Sequence, residues 1–236
     1  MLFFYIRHGD PIYNPDSLTH LGTLQAKALA KRLALYGLDR IFSSTSERAK
    51  MTAEPTARLL KKEVTLLDFA NEGHAWRELT VKSGEKITWL FQHAPTRALF
   101  HTEEIKALAN KWYTHPAFSE YKYKEAMQRI KSGADSLFAT LGYVHEGCGK
   151  YRVEKESDER IALFAHQGFG LAFLSAVLDI PYPAFSTTFD FGHSGMTVIE
   201  FKNEGGYAYP RVLTLANDSH IYREGLPTKY QNEIYF

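Results

Sequence analysis

Cysteine is almost absent from this chain: Cys148 is the single one in 236 residues. One cysteine cannot close an internal disulfide, which excludes a small stapled secreted scaffold and predicts a reducing, cytoplasmic setting. Its neighbours, Glu146-Gly147-Cys148-Gly149-Lys150, have turn composition, and we read it as a turn residue rather than a nucleophile. Excess charge is missing too. Lys+Arg number 28 and Asp+Glu 27, a formal charge of +1, so neither a nucleic-acid surface nor an acidic tail is expected. No apolar run approaches the roughly 20 residues needed to cross a bilayer, so no membrane partner is expected. Core residues follow Met1 directly, where a signal peptide would need a charged and then an apolar region. There is no internal repeat and no low-complexity tract. What remains, 44% hydrophobic residues, is enough for one large domain with a full core.

The first informative segment is Leu2-Phe3-Phe4-Tyr5-Ile6 followed by Arg7-His8-Gly9. It is too short for a helix and reads as a buried strand that ends in a cation and an imidazole. A turn-rich loop spans Asp10–Ser17. Thr19 then caps a helix over about His20–Tyr36, with Leu21, Leu24, Ala28, Leu29 and Leu33 on one stripe and Gly37 at its end. A second strand is expected at Asp39–Ser43, a second helix at about Ser46–Lys61 with a kink or break near Glu54 from Pro55, and a third strand at Val64–Leu67. From about Ala70 to Arg152 the chain carries many aromatics and histidines and no clear strand. Helical stretches near Glu85–Gln92, Thr102–Tyr113 and Ser119–Gly142 make this a helical excursion of the type that covers sites. A strand at Arg160–Ala165 leads through His166-Gln167-Gly168 into a helix at Phe169–Leu178. Strands at Gly195–Phe201 and Tyr209–Leu215 follow, and the chain from about His220 reads as an irregular tail. The expected fold is α/β: a three-layer α/β/α sandwich with a mainly parallel central sheet. We expect a single domain over 1–236 with a mostly helical insertion at about 73–152.

Two strands share one design: an apolar run, then a histidine, then a glycine. As neighbours in a parallel sheet they would bring His8 and His166 together at its carboxyl edge, where ligands bind in open α/β folds. The strand ending at Ser43 feeds a helix whose first turn holds Arg48, beside amides that favour anions. Two arginines and two histidines suit phosphate chemistry. Guanidinium groups clamp the phosphoryl oxygens, and a neutral imidazole attacks phosphorus. A carboxylic acid must then serve the leaving oxygen.

Arg7-His8-Gly9 resembles the defining motif of the histidine phosphatase superfamily, the branch of the cofactor-dependent phosphoglycerate mutases and related phosphatases. Leu18 to Ala26 resembles its L-T-x-x-G-x-x-Q-A helix start. Ser43 to Ala53 matches S-S-x-x-x-R-A-x-x-T-A at every fixed place, and His166 stands where the second family histidine lies. The resemblance covers about residues 1–72 and 158–216. It implies His8 as phosphorylated nucleophile, with Arg7, Arg48 and His166 on the phosphoryl group and Asn14 and the Gln167 backbone assisting. It also implies a carboxylate acid between the arginine helix and the second histidine. Glu72 in Phe69-Ala70-Asn71-Glu72 fits that neighbourhood best, with Trp76 following, and Glu78 and Asp10 are alternatives.

The implied activity is hydrolysis of a small phosphorylated metabolite through a phosphohistidine, with no cofactor and no metal, since the arginines supply the positive charge. Mutases of the family carry a longer, R-F-x-G-W-like loop after the first motif, and Asp10–Leu18 is short, which ranks a phosphoglycerate mutase second. A non-catalytic phospho-ligand binder ranks third. Among the other histidines, His74 and His193 are the ones expected to approach the pocket.

Overall fold

A computed structural model describes residues 1–228. Six strands form its central sheet: β1 (Leu2–Arg7), β2 (Arg40–Ser44), β3 (Val64–Leu67), β4 (Arg160–Ala165), β5 (Met196–Glu200) and β6 (Arg211–Asn217). Their order is β6-β5-β1-β4-β2-β3. The pairs β1–β4, β4–β2 and β2–β3 are parallel, and β5 runs antiparallel between β1 and β6. Because β1 is central, its apolar run is buried on both faces. Phe3 and Tyr5 point to one layer and Phe4 and Ile6 to the other.

Helices α1 (His20–Tyr36) and α2 (Glu47–Leu60) cover the Phe4/Ile6 face, with Leu29, Leu33, Ala53 and Ala57 in contact with it. The opposite face takes α4 (Tyr123–Thr140) and α5 (Gln167–Leu178), through Phe138, Phe169 and Phe173. Burying each such aromatic or aliphatic side chain stabilises the fold by about 1.5–3 kcal/mol. The short helix α3 (Glu72–Glu78) follows β3 at the carboxyl edge of the sheet.

Between the motif and α1 the backbones nearly touch. A Cβ on Gly9 would lie 2.6 Å from the Gly22 carbonyl oxygen, and one on Gly22 would lie 2.2 Å from that of Asp10. Both glycines are therefore dictated by backbone approach rather than by turn conformation. Thr19 caps α1 by accepting from the Gly22 amide at 3.0 Å.

Four expectations need correction. The segment Asp10–Ser17 is not an open loop: Pro11–Tyr13 pairs with Asp16–Leu18 as a small hairpin turning at Asn14-Pro15. Strands of three residues are too short to show a periodic pattern. Pro55 does not break α2, which is one continuous helix. The insertion is not purely helical. Thr80–Ser83 pairs with Lys86–Trp89, where a helix was expected over Glu85–Gln92, and Gly84 at φ +62° makes the tight turn. Tyr143–Gly147 pairs with Lys150–Val153 across the Cys148 turn and joins Tyr207–Ala208 and Asn203–Glu204 in a second, antiparallel sheet. Finally, the expected tail begins as a helix, Ser219–Arg223, with His220 and Ile221 buried; residues 229–236 of it lie outside the described residues.

Candidate active site

The register of β1 against β4 sets the centre of the site. Arg7 is opposite Ala165, so the next residues, His8 and His166, leave the sheet side by side, with ring centroids 5.2 Å apart. The His8 amide donates to the Ala165 carbonyl at 3.0 Å, which continues the ladder one residue past the strand. The His8 Nδ1 lies 2.7 Å from the Gly9 carbonyl oxygen. A carbonyl can only accept, so Nδ1 carries the hydrogen and Nε2 keeps its lone pair. Burial, reinforced by His166 and Arg7, holds the His8 pKa well below the ordinary value. The ring is a neutral imidazole with a free nitrogen.

His166 is fully buried and its pKa is likewise depressed, first by burial and then by Arg48 and Arg7. Its Nε2 lies 2.8 Å from Ser44 Oγ, which also accepts the Ser46 amide at 3.3 Å. Among the described residues the Ser44 hydroxyl has no other acceptor, so its proton goes to Nε2, which places the ring hydrogen on Nδ1. The Tyr5 hydroxyl donates to the His166 carbonyl at 2.6 Å and fixes the backbone there.

Arg7 donates through Nη1 to the Phe191 carbonyl and through Nη2 to His193 Nε2, the latter at 2.9 Å. Burial and the nearby Arg7 charge push the His193 pKa down to about 4, so this imidazole is neutral and accepts. Arg48 donates through Nη1 to Asp16 Oδ1 at 2.7 Å, and Asp16 Oδ2 accepts the Glu47 amide at 2.8 Å. Asp16 thus caps α2 and orients its arginine at once. After these bonds, Arg7 Nε, Arg48 Nε and His166 Nδ1 are buried without a partner among the described residues. Buried donors of this kind are costly unless something accepts from them. All three belong to residues around His8.

Of the three candidate acids, only Glu72 enters the pocket. Its two oxygens accept the Gly168 and Phe169 amides at 3.0 Å each, first-turn donors of α5 that have no acceptor within the helix. Burial raises its pKa, against the lowering effect of those two amides. Glu78 is held by Arg129 through contacts of 2.6 to 2.9 Å. Asp10 accepts the Thr19 hydroxyl at 2.7 Å and lies 3.3 Å from His193 Nδ1, outside the pocket. Gln167 lines the pocket and bonds to Asp190 with its side-chain amide.

Asn14 departs from expectation. It sits exposed at the hairpin turn and does not line the pocket; its neighbours Tyr13 and Asp16 do. The turn needs Asn-Pro chemistry at its tip, and strand alternation sends the flanking side chains inward. His193 meets the site as expected, whereas His74 turns to Asp68 and Arg77. Tyr5, Tyr13, Asp16 and Ser44 were not expected from the sequence. The Tyr13 ring lies 5.4 Å from the Arg48 guanidinium. The pocket measures about 920 Å³, and its outer wall is made of Tyr13, Trp76 and Trp89.

The profile of the histidine phosphatase superfamily (branch 1) matches residues 3–212. The chain belongs to that superfamily. Its fold is shared by solved structures at low identity. A phosphoserine phosphatase from Entamoeba histolytica superposes with a TM-score of 0.59 at 19% identity, over 93% of this chain and 98% of that one. A mycobacterial glucosyl-3-phosphoglycerate phosphatase gives 0.58 at 20%, over 91% and 98%. The alpha-ribazole phosphatase from Shigella flexneri gives 0.57 at 20%, over 92% and 97%. No curated protein matches the sequence. Among the described residues no helix is long and apolar enough to cross a membrane.

Proposed function

We propose that this superfamily member is a phosphatase that hydrolyses a small phosphomonoester through a phosphohistidine on His8. The observation that carries the reading is the set of unpartnered buried donors, Arg7 Nε, Arg48 Nε and His166 Nδ1, around a neutral imidazole with a free Nε2. A phosphoryl group supplies the missing acceptors, and its developing charge is stabilised by groups already in place.

In the first half-reaction His8 Nε2 attacks phosphorus, forming the N–P bond as the P–O bond to the leaving alcohol breaks. Glu72, whose raised pKa favours the acid form, gives its proton to that oxygen. In the second, water attacks the phosphohistidine, Glu72 takes the water proton, and the N–P bond breaks to return His8 and release inorganic phosphate. Gly168 and Phe169 amides hold the Glu72 carboxyl in both protonation states. The arginines provide the positive charge that a metal would otherwise give.

The phosphatase names of the structural neighbours agree with this class of reaction. The short segment between His8 and α1 supports hydrolysis over retention of an intermediate for re-phosphorylation. The test is H8A against 4-nitrophenyl phosphate. Hydrolysis is expected to fall to background, and an unchanged rate would remove the proposal.

A further inference from the structure

We infer that the site selects esters whose leaving alcohol carries a flat, uncharged aromatic ring, the chemistry of a nucleoside 5′-monophosphate, and discriminates against esters that bear a carboxylate. This rests on the phosphomonoesterase reading above and concerns the half of the pocket that does not hold the phosphoryl group.

The cavity of about 920 Å³ is at the upper end of the roughly 300–1,000 Å³ typical of sites that enclose whole small molecules. The space beyond His8 is walled by aromatic faces. Tyr13 is 69% exposed and Trp76 39% exposed, large apolar surfaces left open inside a cleft. The wall is rigid. Trp89 meets Trp76 edge-on at 5.0 Å and is stacked on Phe91 at 5.7 Å. The Trp89 ring also lies over Gly168, where a Cβ would come within 2.5 Å of it. The absent side chain at Gly168 lets an indole sit directly on the helix terminus that anchors Glu72. Trp76 on this backing, and the open Tyr13 ring beside Arg48, offer stacking surface to a planar group.

Charge gives the second half of the argument. Among the described residues, the only cations lining the pocket are Arg7 and Arg48, and the phosphoryl group takes both. A carboxylate on the leaving group would find no third cation. With Asp16 and Glu47 already paired, nothing in the lining would compensate the desolvation of that carboxylate, which costs on the order of 10-fold or more in affinity. An ammonium group gains no free counter-ion either: Asp16 is bound by Arg48 and Glu47 by Lys50 at 2.6 Å. The remaining polar lining, Thr45, Ser46, Asn71, Gln92 and Gln167, is uncharged, hydroxyls and amides of the kind suited to hydroxyls and ring nitrogens.

The experiment compares kcat/KM for adenosine 5′-monophosphate, ribose 5-phosphate and 3-phosphoglycerate in wild type, W76A and W76F. Base stacking predicts a preference of about 10-fold or more for the nucleotide over the ring-free sugar phosphate. The sugar phosphate should in turn exceed 3-phosphoglycerate by a factor of on the order of 10, the cost of desolvating a carboxylate without a partner. W76A should reduce the nucleotide preference to within a few-fold, and W76F should restore most of it. Ribose 5-phosphate or 3-phosphoglycerate equal to or better than the nucleotide, with hydrolysis intact, overturns this inference and leaves the phosphatase reading standing. Failure to hydrolyse any of the three, and 4-nitrophenyl phosphate as well, overturns both.

Discussion

Replacing Glu72 with glutamine isolates the proton that the leaving group needs. The side chain keeps its size but loses its acid. In place it also turns one N–H₂ toward an α5 amide that now has an acceptor at 3.0 Å, so one hydrogen bond is lost, about 1 kcal/mol of stability. The kinetic effect should be much larger and should depend on the leaving group. General-acid catalysis contributes about 10²–10⁴ in rate where a poor leaving group must be protonated, which is about 3–5 kcal/mol of barrier. An alkyl phosphate should therefore lose that factor. The nitrophenolate of 4-nitrophenyl phosphate departs without a proton, and its rate should fall by less than about 10-fold. The pH profile supplies a further arm. Burial raises the Glu72 pKa, so the wild-type rate on alkyl esters should fall as pH rises through that value, and E72Q should lose this limb. Steady-state kcat/KM on both substrates across pH is the assay. Equal losses on the two substrates would refute the acid assignment and leave Glu72 as a purely structural cap of α5.

Three other outcomes are expected. R48K replaces a guanidinium oriented by Asp16 at 2.7 Å with a point charge, and kcat/KM should fall by about 10²–10³; a loss under about 3-fold by steady-state kinetics would deny Arg48 its role. Vanadate should inhibit competitively while EDTA leaves the rate unchanged, and EDTA-sensitive hydrolysis would point to a different chemistry. Away from the site, His145 lies between Asp135 at 2.8 Å and Asp179 at 2.9 Å. Burial and the Lys131 ammonium, 2.6 Å from Nδ1, oppose its charge, but the two carboxylates override both and raise its pKa to about 8. A raised folded-state value stabilises fully below the ordinary 6.5 and is lost as pH climbs through 8, a contribution of about 1 kcal/mol once solvent screening is allowed for. Thermal unfolding from pH 6 to 9 should show Tm falling over that window, and H145Q should flatten it; a Tm that rises with pH in wild type would contradict the charged clasp.

The parts of the fold that the sequence announces are those with a single dominant force. The apolar run of β1 and the His-terminated β4 are buried on both faces, so their composition declares them and their parallel register brings His8 to His166. Arg48 is legible because a helix start has a recognisable chemistry. Glu72 needed the structure to separate it from Glu78 and Asp10, because only the folded chain shows which carboxylate has already been taken by Arg129 or Thr19. Asp16 and Tyr13 were hidden by a hairpin of three-residue strands, and the same shortness concealed that Asn14 sits at the turn, outside the pocket lining. The two hairpins of the insertion were missed because their alternation is interrupted by polar residues on a half-exposed surface. Ser44 and Tyr5 act through hydrogen bonds across strands, which no local pattern encodes.

The central claim is that His8 itself carries the phosphoryl group. Rapid mixing with a phosphomonoester, quenching in alkali where phosphohistidine survives, and mass spectrometry of the peptide containing Arg7-His8-Gly9 tests it directly. The account predicts one phosphoryl group on His8, formed within the first turnover and absent from H8A. Normal turnover by wild type with no modification of that peptide at any time would contradict it.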